Sequence, residues 1–373
     1  MIDVDCLIIG AGFSGATIAE RIAAGQDRKV LLLEKRNHIG GNAHDRPDET
    51  GITIHPYGPH LFHTNSSRVW NYLSGFTDWR PYEHKVLARI DGKLVPVPFN
   101  LNSLHALFPA AQADHLEQLL VDQYGHGARV PILKLRESSN DDIGELADFI
   151  YRKIFLGYTS KQWGMKPEEL SPSVTARVPV LVSRDNRYFR DTWQAIPELG
   201  YTRLFERMLD HPNITVRLGE DFFTMRDRIR ARQIFYTGPI DAWFNYRFGR
   251  LPYRSLEFVH ENLPEQRHQP VGTINYPNEH AYTRVTEFRH ITGQPHSRTA
   301  IVREYPCTSG DPYYPVPIVK NEQLYKRYEV LAREERNVTF IGRLASYRYY
   351  NMDQVVAAAL ARIDKPEKSG AYK

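Results

Sequence analysis

Gly10-Ala11-Gly12-Phe13-Ser14-Gly15 is the stretch that decides the fold of this 373-residue chain. It follows an apolar run at residues 5–9, which is typical of a parallel strand buried on both faces. A helical pattern covers residues 15–24, and a second apolar run at residues 29–34 completes a βαβ unit with a right-handed crossover. The sequence therefore predicts that the chain opens with half of a Rossmann-like parallel sheet.

The glycine pattern has the spacing of a dinucleotide-binding loop, and each glycine has a physical reason. Gly10 permits a tight turn, Gly12 lets the backbone approach a pyrophosphate, and Gly15 lets the helix pack closely on the strand. The start of that helix, with Phe13 and Ser14, offers unpaired N–H groups to phosphate oxygens. A glycine turn without a ligand is the alternative, and the flanking strand and helix disfavour it.

NAD and FAD both bind to such a loop, so a second signal is needed. Glu34 ends the second strand, where a carboxylate can accept hydrogen bonds from ribose hydroxyls. Residues 34–42 resemble the extension of flavoprotein oxidases and related FAD enzymes, in which an acid and a basic residue precede a Gly-Gly pair. We therefore expect FAD as the cofactor, with Lys35, Gly41 and Asn42 among its contacts.

The composition excludes several other classes of protein. The net charge is +4 with both signs interspersed, so no basic block for nucleic acid is present. Two cysteines, Cys6 and Cys307, provide no disulfide framework, and no metal-ligand spacing appears, so we expect no metal site. The N-terminus lacks the pattern of a signal peptide, and no run of about 18 apolar residues occurs. We expect a cytoplasmic protein without membrane insertion.

The order of patterns along the chain predicts an interrupted nucleotide fold. Helical periodicity appears at residues 110–124 and 143–155, and short alternating segments typical of antiparallel strands fill residues 174–317. We predict an α/β fold, in which a Rossmann-like FAD-binding domain is interrupted by a helical domain and an antiparallel β-sheet domain. The predicted ranges are 1–75, 205–245 and 325–373 for the FAD-binding domain, 101–175 for the helical domain, and 76–100, 176–204 and 246–324 for the sheet domain.

Four further segments are similar to segments of one family, the bacterial UDP-galactopyranose mutases. They occur in the family's order, so the resemblance covers nearly the whole chain. The Gly-Arg pair that begins the last segment also agrees with these mutases rather than with most oxidases. The segments are residues 57–64 (YGPHLFHT), 155–164 (FLGYTSKQWG), 236–241 (YTGPID) and 342–354 (GRLASYRYYNMDQ).

The resemblance implies UDP-galactose as the substrate and assigns residues to it. Arg177 and Arg284 match the family's two diphosphate-binding arginines, whose planar guanidinium groups suit phosphate oxygens. His63 matches a position beside the flavin and the sugar, and these three are the predicted catalytic residues. Trp163 and Tyr158 match the positions that hold the uridine. Further predicted substrate contacts, near the uracil, ribose, phosphates or sugar, are Phe155, Asn275, Tyr188, Tyr314 and Tyr349.

The resemblance also implies a mobile substrate loop, and we expect Trp163 to lie in this loop, with Gly157 and Gly164 as its hinges. For the cofactor, it implies that Arg343 contacts the FAD diphosphate and that the start of the last helix faces the flavin. The remaining predicted FAD contacts are His60, Gly238, Gly342, Asn351, Met352 and Asp353.

The implied reaction converts UDP-galactopyranose into UDP-galactofuranose without net redox change. N5 of reduced FAD acts as the nucleophile at the anomeric carbon, and NAD(P)H is the expected external reductant. The family habit implies a homodimer that contributes to surface glycan synthesis. Two alternatives remain: an amine oxidase-like flavin oxidoreductase, and a non-catalytic protein that binds a nucleotide sugar or FAD. An N-acetylated sugar nucleotide also remains open as a substrate.

Overall fold

The computed structural model describes residues 1–365, so residues 366–373 of the predicted FAD-binding domain lie outside the described residues. Several strands of this part of the chain contain only two or three residues, and the longest belong to two large sheets. Numbered along the chain, the strands are β1 Ile2–Ile9, β2 Val30–Glu34, β3 Arg46–Pro47, β4 Thr53–Ile54, β5 Phe62–Thr64, β6 Trp79–Pro81, β7 Val86–Ile90, β8 Lys93–Val97, β9 Arg129–Val130, β10 Val180–Leu181, β11 Trp193–Pro197, β12 Ile214–Leu218, β13 Ile229–Tyr236, β14 Tyr253–Leu263, β15 Thr273–Asn275, β16 Arg284–Glu287, β17 Thr299–Cys307, β18 Tyr314–Pro315 and β19 Val338–Phe340.

The helices fall between these strands, and a π-helical segment, Tyr151–Leu156, joins two of them. Short 3-10 turns occupy Gly41–Ala43, Pro167–Glu169 and Arg226–Arg228. Numbered in the same way, the α-helices are α1 Phe13–Gln26, α2 Ser67–Ser74, α3 Leu101–Leu107, α4 Ala110–Tyr124, α5 Ile132–Leu135, α6 Asp141–Ile150, α7 Gly157–Trp163, α8 Pro172–Ala176, α9 Tyr201–Leu209, α10 Phe222–Met225, α11 Ile240–Trp243, α12 Phe288–Thr292, α13 Val319–Glu334 and α14 Met352–Ile363.

A parallel sheet of five strands, in the order β12-β2-β1-β13-β19, forms the nucleotide-binding part. The chain leaves β1 toward β2 on one side and later enters β13 on the other side, so the strand order reverses beside β1. In open parallel sheets, ligands bind outside the carboxyl ends of the strands at such a reversal. The predicted Rossmann-like fold is confirmed, and its topology already indicates where a ligand binds.

The predicted burial of β1 and β2 on both faces is also confirmed. Ile8 and Leu32 point to one face, where they pack with α1, α9 and α14, and both are fully buried. Leu7 and Leu31 point to the other face and pack against Phe222. Because successive residues of a strand point to opposite faces, an unbroken apolar run gives a strand that is covered on both sides.

The second large sheet has seven strands in the order β18-β14-β17-β16-β15-β7-β8. The antiparallel strands predicted within residues 174–317 include β14, β16 and β17, and β17 pairs antiparallel with both of the others. One pair, β7 with β15, is parallel. A parallel pair requires a long crossover connection, and here the whole helical region lies between the two strands.

The helical region packs on the β7–β8 hairpin around a single core cluster. The helix predicted at residues 110–124 is confirmed as α4. The helix predicted at residues 143–155 begins at Asp141 and continues into the π-helical segment. All five parallel strands fall within the ranges predicted for the FAD-binding domain, and the exact domain boundaries stay predictions. Within residues 1–365, no helix is long and apolar enough to cross a membrane.

One local prediction is wrong: Trp163 does not lie in a loop but is the last residue of α7. Gly157 has a helical φ of −64°, and a Cβ on it would lie 2.5 Å from the carbonyl oxygen of Pro277. Close packing therefore explains Gly157 better than a hinge does. Gly164 ends the helix in the left-handed conformation, with φ of 68°, which is a common helix stop for glycine.

Candidate active site

A cavity of about 750 Å³ opens at the carboxyl ends of the parallel strands. Small-molecule and cofactor sites typically have volumes of about 300–1,000 Å³. Most of the predicted FAD contacts share this one space. Those that line it are Gly10, Gly12, Phe13, Ser14, Glu34, Lys35, Gly41, Asn42, His60, Gly238, Gly342, Arg343 and Met352.

The wall of the cavity near α1 consists of backbone that only glycine permits. Gly10 has φ of 103°, and a Cβ there would overlap Oγ1 of Thr237. Gly342 has φ of 101°, and its Cβ would lie 2.7 Å from Oγ of Ser14. Gly15 does not line the cavity, but a Cβ on it would overlap the carbonyl oxygen of Gly10. These glycines bring the helix and the strand ends close together and leave a backbone surface open to a ligand.

Several polar groups of the cavity fit a dinucleotide. The buried carboxylate of Glu34 accepts the N–H groups of Ala11 at 2.8 Å and Arg36 at 3.0 Å, which fixes it at the end of β2. Oγ of Ser14 and Nε of Arg343 are buried, and neither has a hydrogen-bond partner within the described part of the chain. Since buried polar atoms are normally hydrogen-bonded, these two donors fit the phosphate oxygens of a bound dinucleotide.

Two of the predicted FAD contacts at the start of α14 do not line the cavity. Asp353 accepts the hydroxyl of Thr64 at 3.0 Å, which ties α14 to β5. The side chain of Asn351 accepts a hydrogen bond from Arg177 at 2.5 Å. Side chains of successive helical residues point in different directions, so only Met352 of the three borders the cavity.

A second group of side chains, the arginine–tyrosine site, lies next to the cavity. Arg343 belongs to both, because it lines the cavity and its Cζ lies 4.8 Å from the ring centroid of Tyr349 and 5.2 Å from that of Tyr314. Cζ of Arg177 lies 3.9 Å from the Tyr349 ring, and the two tyrosine rings are 4.9 Å apart. We define the site by Arg177, Arg284, Arg343, Tyr158, Trp163, Tyr188, Tyr314 and Tyr349.

The aromatic members of this site are largely buried against one another. The ring of Trp163 lies 6.0 Å from that of Tyr314 and 6.2 Å from that of Tyr349, and Trp163 is only 6% exposed. Burial raises the pKa of Tyr158, Tyr188 and Tyr314 above the ordinary value. These phenols therefore stay neutral at pH 7 and can donate hydrogen bonds to an anion.

Arg284 has an acidic neighbour that the sequence did not indicate. The register of β15, β16 and β17 puts Asn275, Arg284 and Glu304 side by side across three strands. Nε of Arg284 lies 3.3 Å from a carboxylate oxygen of Glu304, which is 2% exposed. Burial raises the pKa of Glu304, while the cation beside it favours the charged form. The signal available in the sequence was an acid that follows the apolar run Ala300-Ile301-Val302 by two residues.

His63 lies on β5 and does not line the cavity. Its Nδ1 lies 2.9 Å from Asp191, and its ring stacks on Phe189 with centroids 3.7 Å apart. Phe189 also stacks on His84, whose pKa is lowered to about 3 by burial and by the charge of Arg284. Because the ring of Phe189 also lies 5.0 Å from that of Tyr188, a single ring separates His63 from the arginine–tyrosine site.

Phe155 does not line the cavity, but Tyr188 of the arginine–tyrosine site packs against the core cluster to which Phe155 belongs. Phe155 is 8% exposed and belongs to the core of the helical region, together with Tyr151 and Ile154. Its position within the π-helical segment turns the side chain toward that core. A direct contact of Phe155 with the substrate stays a prediction.

The fold and the cavity define a Rossmann-like, dinucleotide-binding class of protein. Residues 8–76 match the family model described as an NAD(P)-binding Rossmann-like domain. Residues 153–349 match the model of a second family, described as UDP-galactopyranose mutase. The first match contains the glycine loop, and the second contains most of the arginine–tyrosine site.

Individual relatives extend the match to nearly the whole chain. The sequence is 37% identical over 366 residues to a probable UDP-galactopyranose mutase of Klebsiella pneumoniae, covering 96% of this chain and 94% of that protein. It is 38% identical over 365 residues to the dTDP-fucopyranose mutase of Escherichia coli, covering 95% and 96%. The crystal structure of a reduced UDP-galactopyranose mutase matches with a TM-score of 0.75 at 16% identity, covering 98% of this chain and 94% of that one.

The chain therefore belongs to the UDP-galactopyranose mutase family and is an enzyme of the isomerase class. The resemblance that the sequence motifs indicated is confirmed. Family membership also decides against the two alternatives that the sequence left open, an amine oxidase-like oxidoreductase and a non-catalytic binding protein.

Proposed function

We propose that this enzyme interconverts UDP-galactopyranose and UDP-galactofuranose with FAD held in the cavity. The observation that carries this proposal is the double role of Arg343, which lines the cavity and lies within 5.2 Å of the Tyr314 ring. A sugar whose diphosphate is bound in the arginine–tyrosine site would lie next to the cofactor. Reduced FAD supplies a nucleophilic N5 for the anomeric carbon, without net electron transfer.

The protein's part in cofactor binding follows from the cavity wall. The backbone at Gly10 and Gly12 would accept the close approach of the FAD diphosphate, and the hydroxyl of Ser14 would donate to it. The carboxylate of Glu34, held by two backbone N–H groups, would accept ribose hydroxyls with its remaining lone pairs. Arg343 would bring positive charge to the side of the cavity that faces the substrate.

The protein's part in catalysis is to hold the UDP group while the bond to the sugar breaks and forms again. Negative charge builds up on the departing diphosphate, and Arg177 and Arg284 would stabilise it with charged hydrogen bonds. Glu304 would keep Arg284 in place through the 3.3 Å ion pair. Neutral tyrosines around the site would donate hydrogen bonds and exclude water, which protects the sugar from hydrolysis.

The test is product analysis by chromatography after incubation of the dithionite-reduced enzyme with UDP-galactose. We expect UDP-galactofuranose from the reduced enzyme and none from the oxidised enzyme. The purified protein should be yellow, or should become so on reconstitution with FAD. A protein that takes up no flavin, or one whose turnover is independent of flavin reduction, would contradict the proposal.

A second candidate substrate is dTDP-fucopyranose, because the relative that carries this name is 38% identical to the chain. Thymidine lacks the 2′-hydroxyl of uridine and adds a methyl group, and fucose lacks the 6-hydroxyl of galactose. The ratio of kcat/KM for the two nucleotide sugars, measured in one competition assay, distinguishes these substrates. The N-acetylated UDP sugar belongs in the same assay as a third substrate.

We further propose that NAD(P)H reduces the flavin, that the enzyme is a cytoplasmic homodimer, and that its product enters surface glycan synthesis. Loss of flavin absorbance on addition of NAD(P)H without oxygen tests the reductant. Light scattering of the FAD-loaded protein tests the dimer, and a monomer at all concentrations would exclude it. Fractionation of the source cells, with loss of galactofuranose from surface glycans on gene deletion, tests the remaining two statements.

A further inference from the structure

Lys161 connects α7 with the hairpin between β15 and β16. Its ammonium group is half-buried, and burial lowers the pKa of Lys161 to about 8 despite the opposing charge of Glu279. The hairpin starts after Asn275 and ends before Arg284. The lysine therefore binds a turn that is flanked in the chain by two predicted substrate residues. The ammonium donates to the main-chain carbonyl oxygens of Tyr276, of Glu279 at 3.0 Å, of His280 at 3.2 Å and of Tyr282 at 3.3 Å.

Two more contacts hold the same hairpin against α7 and the segment before it. The side-chain amide of Asn278 donates to the carbonyl oxygen of Lys153 at 2.8 Å. Gly157 packs so tightly that a Cβ would lie 2.5 Å from the carbonyl oxygen of Pro277. The helix and the hairpin therefore meet at Gly157 and at Lys161, and Lys161 is the charged group of this contact.

The hairpin that receives Lys161 is itself firmly held. The rings of His280 and Tyr282 stack with centroids 4.6 Å apart, and Tyr276 lies edge-on to Tyr282 at 5.1 Å. Nε of Arg89 lies 3.2 Å from Glu279, which ties the hairpin to β7. Because these contacts hold the hairpin in place, its carbonyl oxygens fix the position of the Lys161 ammonium group.

The carboxyl end of α7 is anchored as well. The buried Arg254 on β14 donates to the carbonyl oxygens of Gln162 at 2.8 Å and Lys161 at 3.2 Å. Cations at the carboxyl end of a helix satisfy its free carbonyl groups. Since α7 carries both Tyr158 and Trp163, its anchors determine where those two rings lie.

We propose that Lys161 is a positioning residue that sets the spacing between the nucleotide-holding rings of α7 and the diphosphate-holding Arg284 on β16. The inference rests on the proposed function, because it takes these side chains as the substrate site. Tyr158 and Lys161 are three residues apart and lie on the same side of the helix. The Tyr158 ring is 5.9 Å from Cζ of Arg284, so movement of α7 away from the hairpin would widen the gap that a nucleoside diphosphate must span.

The substitutions Lys161→Met and Lys161→Arg separate this role from general stability. Methionine keeps much of the apolar stem and removes every donor, which leaves the carbonyl cluster unsatisfied. Arginine keeps the charge, but its planar guanidinium cannot converge on one point as an ammonium does. The matched control is Lys153→Met, because Lys153 lies in the preceding π-helical segment and its ammonium pairs with the exposed Asp91 at 2.9 Å.

The measurement is isothermal titration of the FAD-loaded proteins with UDP, combined with KM and kcat for UDP-galactose. We expect Lys161→Met to weaken UDP binding and raise KM about tenfold, a change equivalent to about 1.4 kcal/mol. The value of kcat should change less than about twofold and the flavin spectrum should not change, since the cofactor cavity is untouched. Lys161→Arg should recover part of the affinity, and Lys153→Met should behave as the wild type.

Three results would overturn the inference: unchanged UDP affinity in Lys161→Met, a loss confined to kcat, or an equal loss in Lys153→Met. If Lys161→Met does not fold, Asn278→Ala is the second variant. It removes the neutral hydrogen bond from the hairpin to the carbonyl oxygen of Lys153 and should weaken UDP binding about threefold. An unchanged affinity in that variant would also overturn it. A wild-type enzyme that binds neither UDP nor dTDP would defeat the proposed function itself, and the positioning role with it.

Discussion

The cofactor cavity and the arginine–tyrosine site lie side by side but are built in different ways. The cavity wall near α1 is main chain, formed by glycines such as Gly10 and Gly342 that take conformations unfavourable to other residues. The arginine–tyrosine site is made of long side chains from separate segments, which burial and charge hold in place. A main-chain site depends on a few local conformations, whereas a side-chain site depends on the register and packing of whole elements.

This comparison predicts different responses to substitution. A change in the cavity wall should reduce FAD binding and leave the substrate side chains in place. A change in the arginine–tyrosine site should reduce nucleotide binding or turnover while the flavin stays bound. Arg343 is the exception, because it belongs to both regions.

Arg284→Ala should have the largest effect. It removes a cation from the diphosphate and leaves the carboxylate of Glu304 buried without its partner. Loss of one donor to a developing negative charge costs about a hundredfold to a thousandfold in rate, and the unpaired Glu304 disturbs the site further, so we expect kcat/KM for UDP-galactose to fall about a thousandfold. Steady-state kinetics of the reduced enzyme measure this. Arg177→Ala is the comparison, since Arg177 is exposed and its loss should cost less; equal losses would contradict the distinction.

Gly10→Ala should be the most damaging change in the cavity wall. The new Cβ would overlap Thr237, and φ of 103° is strained for alanine. We expect FAD affinity to fall about a hundredfold, equivalent to about 3 kcal/mol of strain and displacement. Titration of the apoprotein with FAD, followed by quenching of flavin fluorescence, measures this. Gly25→Ala at the other end of α1 is the control, because nothing lies within 4 Å of its Cβ.

Trp163→Ala returns to the arginine–tyrosine site with a smaller effect. Loss of the ring that lies 6.0 Å from Tyr314 should weaken UDP binding about tenfold, since stacking on a base contributes about 1–3 kcal/mol. The flavin spectrum and the rate of dithionite reduction should stay unchanged. If UDP binds as tightly as to the wild type, Trp163 only anchors α7 against its neighbours.

Asp311→Asn should have the smallest effect and tests whether the cavity is independent of the seven-stranded sheet. Asp311 follows β17, lines the cavity and pairs with Arg36 at 2.6 Å. Partly exposed ion pairs contribute about 0–1 kcal/mol, so FAD affinity should fall only about two- to threefold. The difference from the wild type should shrink in 0.5 M salt, where the pair is screened. A loss that persists at high salt would indicate a direct contact between Asp311 and the cofactor.

Sequence reasoning located the cavity well because its signals are local. The glycines of residues 10–15 and the acid at the end of β2 lie within one βαβ unit, and the rules for that unit fix where their backbone points. It did not indicate that the side chains of Asn351 and Asp353 face Arg177 and Thr64, and the main-chain contacts of these two residues with FAD stay predictions. Helix phase decides such directions, and a one-residue difference turns a side chain by about 100°.

The arginine–tyrosine site could be predicted only through the family resemblance. No spacing rule joins Arg177 to Tyr349, which are 172 residues apart, or places Glu304 opposite Arg284. Glu304 and Lys161 were missed as partners, and the segment before Trp163 was taken for a loop. In each case the cause is a contact between elements that are distant in the chain, and a residue pattern does not record it.

The amino-acid sequence by itself determined the Rossmann-like sheet, the position of its phosphate loop and the kinship with the mutases. Backbone conformation and apolar periodicity are local properties, and local residues dictate them. Only the tertiary structure decided which arginines, tyrosines and acids come together, how far apart they lie and which are buried. Those properties depend on strand register and on helices packing against a distant hairpin, where the free energy of a charge depends on neighbours contributed by the whole fold.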